Sequence, residues 1–154
     1  MSNINISDQD EVARIDDMLC FALYATSRAV TDAYRPLLDK LGLTYPQYLV
    51  LMVLWEHKQS SVKDLGAILH LDSGTLSPLL KRLEASGFIK RQRRANDERV
   101  VDISLTPEGE ALKKPAGTIP FEIGCKYGFD MDEYVQLLAS LRKLTANINS
   151  TIEH

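Results

Sequence analysis

The chain has 154 residues, 45% of them hydrophobic, and a formal net charge of −3. That length suits a single domain, or one domain with extra helices, and the apolar content is that of a globular fold rather than a disordered one. No apolar run reaches the ~18–20 residues of a membrane helix, and the polar, acidic start MSNINISDQDEVARIDD excludes a secretory signal. A cytoplasmic protein with no membrane contact is expected.

The elements follow in order. Ser7 or Asp8 can cap a first helix, with Glu11 in its first turn, that continues past Arg28 to about Tyr34. Within it, Met18 to Ala25 reads MLCFALYA, apolar almost all round. A helix apolar on every side must be buried on every side, and a chain this short then needs a partner subunit. Pro36 marks a break, and Arg35–Leu41 makes a short second helix ended by Gly42. Thr44 can cap the next helix, Tyr45–Glu56, with Pro46 where a missing N–H does no harm. Its core residues are Tyr48, Leu49, Leu51, Met52, Leu54 and Trp55. Lys58–Ser61 is a loop or a very short strand.

Val62–Leu69 follows, with Val62, Leu65, Ile68 and Leu69 on one face. The turn His70–Ser73 leads into a helix whose Leu76, Leu79, Leu80 and Leu83 recur at i, i+3, i+4 and i+7. Asp72 or Ser73 can cap it. Pro78 requires that it begin near Gly74, and Gly87 closes it as a C′ glycine. This pair is a helix-turn-helix. Phe88–Arg94 and Arg99–Leu105 then form two strands joined by Ala95–Glu98. From Lys90 onward the first strand is polar on both faces. A hairpin with Lys90, Arg91, Arg93, Arg94 and Arg99 standing in solvent has the shape of a DNA-binding wing. Thr106 caps a helix from Pro107, disturbed between Pro115 and Glu122. Asp130 caps the last helix, Met131 to about Ile152, striped by Tyr134, Leu137, Leu138, Leu141, Leu144 and Ile148.

Net acidity argues against nucleic acid until it is mapped. Lys81 to Arg99 holds seven Lys/Arg against three Asp/Glu, while the remainder holds 11 against 18. The local sign sets a docking face, and the acidic remainder limits non-specific adhesion. On the recognition helix, Ser73, Thr75 and Ser77 are small enough to approach base edges. Lys81 and Arg82 suit phosphates, as do Arg93 and Arg94 on the wing.

Helix-turn-helix followed by SGFIKRQRRANDERVVDISLTPEG resembles the MarR family of winged-helix repressors. The resemblance implies that Arg99 enters the minor groove, that Asp97 orients it, and that the N- and C-terminal helices dimerise. The expected architecture is mainly α with a small β wing. A winged helix-turn-helix over 45–105 is flanked by dimerisation helices over 8–41 and 107–152, all within the single chain 1–154. A homodimer would set two recognition helices about one helical turn, roughly 34 Å, apart on a palindromic operator of double-stranded DNA.

Two cysteines lie 105 residues apart, a poor basis for structural disulfides in a cytosolic chain. Cys20, Cys125, His57, His70 and His154 show no metal-ligand spacing. No metal and no cofactor are expected. Cys20 has Tyr24 at i+4, with Tyr34 and Tyr45 further on. Together with Thr44-Tyr45-Pro46-Gln47-Tyr48, this is similar to the OhrR branch of the MarR family, which senses organic hydroperoxides. The resemblance implies that Tyr34 and Tyr45 of a partner subunit hydrogen-bond the Cys20 sulfur. It also implies that Cys125 is the resolving cysteine, joined to Cys20 across subunits. The thiolate is the form that attacks peroxide, and phenols favour it without adding a cation. Asp16, at i−4 from Cys20, opposes this. Oxidation would yield a sulfenic acid and then a disulfide. Bridged Cα atoms must come within about 7 Å; if the reduced dimer holds them further apart, helices must move and DNA would be released. Three rivals stand beside this regulator. One is a MarR-type repressor answering a non-covalent lipophilic or phenolic ligand. The second is a thiol peroxidase, for which the sequence offers no CxxC motif, so no enzyme is expected. The third is a winged-helix protein-interaction module, which would lack salt-dependent duplex binding.

Overall fold

A computed structural model describes residues 14–152 and divides into two compact units, one ending at Ala116 and the other beginning at Gly117. In the first unit a 3-10 turn, Ile15–Asp17, precedes α1, Leu19–Asp39. The expected caps Ser7 and Asp8, and Glu11, lie outside the described residues. Met18 has an extended backbone, φ −86° and ψ 119°, so the helix carrying Cys20 starts later than expected. The break at Pro36 is absent, because α1 runs through it. Pro36 removes one helical N–H, but Leu38 beyond it is 1% exposed and holds that last turn against the core. The helix ends where Gly42 takes φ +68° and the Leu43 amide returns to the Leu38 carbonyl.

Helix α2, Tyr45–His57, is the central rod of this unit. Thr44 forms a full capping box: its side chain accepts from the Gln47 amide, and the Gln47 side chain accepts from the Thr44 amide. Val50, Leu51, Val53, Leu54 and Trp55 are all buried around its circumference, each leucine contributing about 1.5–3 kcal/mol. Met52, expected in this core, is 41% exposed. Strand β1, Gln59–Ser61, leads directly into α3, Val62–Leu69, which Ser61 caps.

After the turn, α4 spans Ser73–Ala85 with Asp72 as the cap, its Oδ1 accepting the Thr75 amide at 2.7 Å. The four leucines at 76, 79, 80 and 83 are buried. As expected, α4 begins beside Gly74, at Ser73, which leaves Pro78 in its second turn. The buried leucine face on both sides of it holds the helix across the missing bond. At the other end Gly87 adopts φ +80°, its amide reaching the Glu84 carbonyl and the Phe88 amide reaching the Leu83 carbonyl. This is a Schellman closure.

The sheet has the order β1-β3-β2, wholly antiparallel, with β2 at Ile89–Arg94 and β3 at Asp97–Leu105. Ser60 faces Ile103 and Lys90 faces Ser104. The register slips between Arg93, opposite Val101, and Arg94, opposite Asp97. The hairpin turn is therefore shorter than expected, only Ala95 and Asn96, and the extra residues bulge from β3. Helices α5, Pro107–Ala111, and α6, Lys113–Ala116, close the first unit. The segment after the wing bends at Leu112, earlier than expected.

The second unit holds α7, Ile119–Gly124, and α8, Met131–Ile152. Asp130 and Glu133 cap α8 reciprocally, amide to carboxylate, both at 2.9 Å. None of the α8 side chains is buried, and Leu137, Leu141 and Ile148 of the expected stripe are exposed. No helix among the described residues is long and apolar enough to cross a membrane.

Candidate nucleic-acid interface and thiol site

The wing is braced from both sides. Glu84, near the end of α4, accepts the Arg91 guanidinium at 2.7 Å and the Arg91 amide at 3.2 Å. This pair fixes β2 against the recognition helix and holds the Glu84 carboxyl below its usual range. Across the hairpin, Arg94 makes a two-pronged contact with Asp102, at 2.7 and 3.0 Å. Asp102 is lowered by that guanidinium, and Arg94 is raised in turn. Two of the five expected wing cations are thus engaged with carboxylates. Among the described residues, no carboxylate pairs with Lys90, Arg93 or Arg99. Arg93 donates to the Glu98 carbonyl at 2.9 Å, which steadies the tip.

The Asp97 carboxylate accepts the backbone amide of Arg99 at 3.1 Å, so it shapes the turn from which Arg99 springs. Between this wing and the helices α3 and α4 lies a cleft of about 1080 Å³. Ser73, Ser77, Lys81, Arg93, Arg94 and Arg99 line it. Thr75 and Arg82 are exposed on α4 but outside that lining. Lys63 also lines it. Sequence reading missed this cation because it sits on α3, not on the recognition helix. Asp72 carries a lowered pKa, chiefly from the Thr75 amide.

The wing base is locked by the Leu105-Thr106-Pro107-Glu108-Gly109 stretch. Thr106 donates to the Gly87 carbonyl and accepts the Gly109 amide. The Gly109 carbonyl takes the Trp55 indole N–H at 3.0 Å. One short segment thereby ties the end of α4, the wing and α2 together.

Cys20 is exposed, a free thiol in the first turn of α1. Asp16 lies in the 3-10 turn that precedes α1. Tyr24 is engaged elsewhere: its hydroxyl accepts from Arg28 at 3.2 Å, and that guanidinium lies 5.8 Å from its ring centre. Tyr34 and Tyr45 do converge, with ring centres 5.0 Å apart in an edge-to-face pair. Tyr48, which sequence reading had placed in the core alone, completes the cluster at 5.8 and 6.5 Å. Its three-residue spacing from Tyr45 on one helix was the available signal. Because α1 is continuous, the 14 residues from Cys20 to Tyr34 span roughly 21 Å at about 1.5 Å per residue. Cys20 and Tyr34 of one chain cannot touch. Cys125 is a free, exposed thiol at the end of α7. No group of three or more His, Cys, Asp or Glu able to hold a metal occurs among the described residues.

A family model described as "Transcriptional regulator SarA/Rot" matches residues 32–115. The organic hydroperoxide resistance transcriptional regulator of Bacillus subtilis is 56% identical over 107 residues, covering 70% of this chain and 73% of the relative. The chain belongs to the MarR-type family of winged-helix transcriptional regulators. A second relative, the HTH-type transcriptional regulator TtmR of Methylorubrum extorquens, is 48% identical over 142 residues, covering 92% of this chain and 73% of the relative. Among solved structures, reduced AbfR bound to DNA, a protein of Staphylococcus epidermidis, superposes on this MarR-type chain with a TM-score of 0.77 at 33% identity, covering 90% and 95% of the two chains. The disulfide form of AbfR gives 0.58 at 36% identity, with 92% and 94% covered.

Proposed function

We propose that this MarR-type chain is a homodimeric repressor that holds a palindromic DNA operator and releases it when an organic hydroperoxide oxidises Cys20. The observation that carries the reading is the geometry of the thiol site. Two phenols stand paired, 5.0 Å between ring centres, while the chain's own Cys20 lies roughly 21 Å along the same helix from Tyr34, at about 1.5 Å per residue. The sulfur these phenols serve is then the partner's. The exposed apolar side chains of α8, Leu137, Leu141 and Ile148 among them, supply the surface for that partner, as contiguous apolar exposure does in soluble proteins. Residues 8–41 and 107–152 are the dimerisation elements in this reading, and 45–105 the DNA-binding part.

On DNA, Ser73, Thr75 and Ser77 would face base edges, with Lys81, Arg82 and Lys63 on phosphates. Arg99 would enter the minor groove from a turn shaped by Asp97. Arg93 adds charge to the wing, and Arg94, tied to Asp102, keeps the hairpin straight.

The chemistry needs only the peroxide. The Cys20 thiolate attacks one peroxide oxygen, an S–O bond forms, the O–O bond breaks, and the alkoxide leaves and is protonated to the alcohol. The sulfur is then a sulfenic acid. The Cys125 thiol of the other subunit attacks it, the S–S bond forms, and water departs. Helix N-termini favour developing negative charge, which suits a first-turn sulfur. The protein acts once per oxidation, as a regulator rather than an enzyme, in the cytoplasm with its DNA, and without a cofactor.

The test is duplex binding by wild type and Cys20→Ser, with and without cumene hydroperoxide. Wild type should lose affinity on oxidation and Cys20→Ser should keep it. Equal sensitivity in both would end the thiol reading and leave the non-covalent ligand. Non-reducing electrophoresis should show a linked dimer that Cys125→Ser abolishes.

A further inference from the structure

Among the described residues, the buried side-chain polar atom without a hydrogen-bond partner is the Tyr48 hydroxyl. Tyr48 is 2% exposed. An unpaired buried hydroxyl is unfavourable, and phenylalanine would fill the same volume without that penalty. Its surroundings explain what the hydroxyl could serve. The Tyr48 ring touches three aromatic neighbours: Tyr34, Tyr45 and, at 6.3 Å between ring centres, Trp55. Trp55 spends its N–H on Gly109. The other two are the phenols assigned above to the partner's sulfur. Tyr45 lies three residues before Tyr48 on α2, on the same side of the helix. Burial, and then Tyr45, push the Tyr48 phenol above its ordinary pKa, so it stays neutral and can both donate and accept.

We infer that Tyr48 is a positioning residue of the switch: it receives the Tyr45 hydroxyl when that phenol loses the sulfur. In the reduced dimer Tyr45 faces the partner's Cys20, and the Tyr48 hydroxyl is left unsatisfied in the core. When Cys20 departs into the disulfide, Tyr45 turns inward and the two phenols pair. The oxidised, DNA-releasing form thereby gains a hydrogen bond that the reduced form lacks. The same phenol cluster leans on Trp55, whose indole is bonded to the base of the wing, so the rearrangement is made next to the element that must lose its register. This inference rests on the peroxide-sensing reading and adds to it a residue that never touches the sulfur.

The test is Tyr48→Phe in the full chain, measured reduced and after cumene hydroperoxide treatment. Reduced Tyr48→Phe should unfold at the same or higher denaturant concentration than wild type and bind duplex at least as well. Oxidised Tyr48→Phe should retain more affinity than oxidised wild type, shrinking the ratio of reduced to oxidised affinity by about five-fold per protomer, the worth of one ordinary hydrogen bond. The double variant Tyr45→Phe/Tyr48→Phe should show coupling between the two positions only when oxidised. A destabilised reduced Tyr48→Phe would mean the hydroxyl is already satisfied and would overturn the inference. So would equal affinity losses in both redox states, or an unchanged ratio. A wild type whose affinity ignores peroxide sinks the sensor reading and this inference together; a responsive wild type with an equally responsive Tyr48→Phe sinks only the latter.

Discussion

Replacing Gly109 by alanine should uncouple the wing from the rest of the first unit. A Cβ built at Gly109 falls 2.0 Å from the Phe88 carbonyl oxygen and 3.0 Å from its carbon, with the Leu105 Cδ2 at 3.1 Å. The nearest neighbour is backbone, not the end of a flexible side chain, so α5 and the strand-entry residue must part by an ångström or more. Overpacking of this kind costs about 1–3 kcal/mol. The shift also pulls the Gly109 carbonyl from the Trp55 indole, stranding a buried donor at about 1–3 kcal/mol. Gly109→Ala should therefore lower stability by about 2–6 kcal/mol, or roughly 4–24 °C in Tm for a chain this long. Urea unfolding at neutral pH measures the first quantity. A duplex titration measures whether the loosened wing also weakens binding. A loss below about 1 kcal/mol, with affinity unchanged, would show that the contact yields freely and that the wing base is not locked there.

Arg99→Ala should weaken duplex binding by about 1–3 kcal/mol, the usual worth of a groove-entering arginine; an unchanged affinity in a salt-controlled titration would misplace the wing. Acid should loosen the wing braces. Glu84, Asp72 and Asp102 all have lowered folded pKa values, so their stabilisation is complete above the ordinary carboxylate pKa of about 4 and is lost as pH falls through the depressed values. Tm should drop between about pH 5 and pH 2, and Asp102→Asn should flatten that drop; a Tm constant over the interval would refute the assignment.

The winged helix was legible because each of its signals is local. Four leucines at helical spacing, Asp72 before them and Gly87 after them define α4, and the structure adds only which residue caps. Thr44 with Gln47 three positions later is likewise complete in the sequence. What was not legible depends on partners distant in the chain. Nothing in the spacing of Glu84 and Arg91 shows that a carboxylate on a helix meets a guanidinium on the next strand, nor that the Arg94 side chain reaches Asp102. Counting wing cations therefore overstated the charge free to meet DNA. Pro36 misled for a related reason: a proline is a local break signal, but the burial of Leu38 two residues later outweighs it. Tyr48 read as core from its apolar neighbours and is core; its hydroxyl becomes notable only because Tyr34, 14 positions earlier and on another helix, lies against the same ring.

The continuity of α1 has a consequence that can be tested by complementation. If Cys20 answers to phenols of the other subunit, a protomer with Cys20→Ser and a protomer with Tyr34→Phe and Tyr45→Phe carry opposite defects. Each homodimer is deficient, the first having no sulfur and the second facing every sulfur with phenyl rings. In the mixed dimer, the cysteine of the second protomer meets the intact phenols of the first, and one complete site is restored. Mixed dimers, made with two different affinity tags, should regain wild-type sensitivity to hydroperoxide at one site per dimer, read as DNA release at low oxidant. Were the phenols to act within their own chain, the mixed dimer would pair the surviving cysteine with its own phenylalanines and stay as insensitive as its parents. The helical rise along α1 already weighs against that outcome, because no rotamer of either side chain closes a gap of roughly 21 Å between residues on one straight helix.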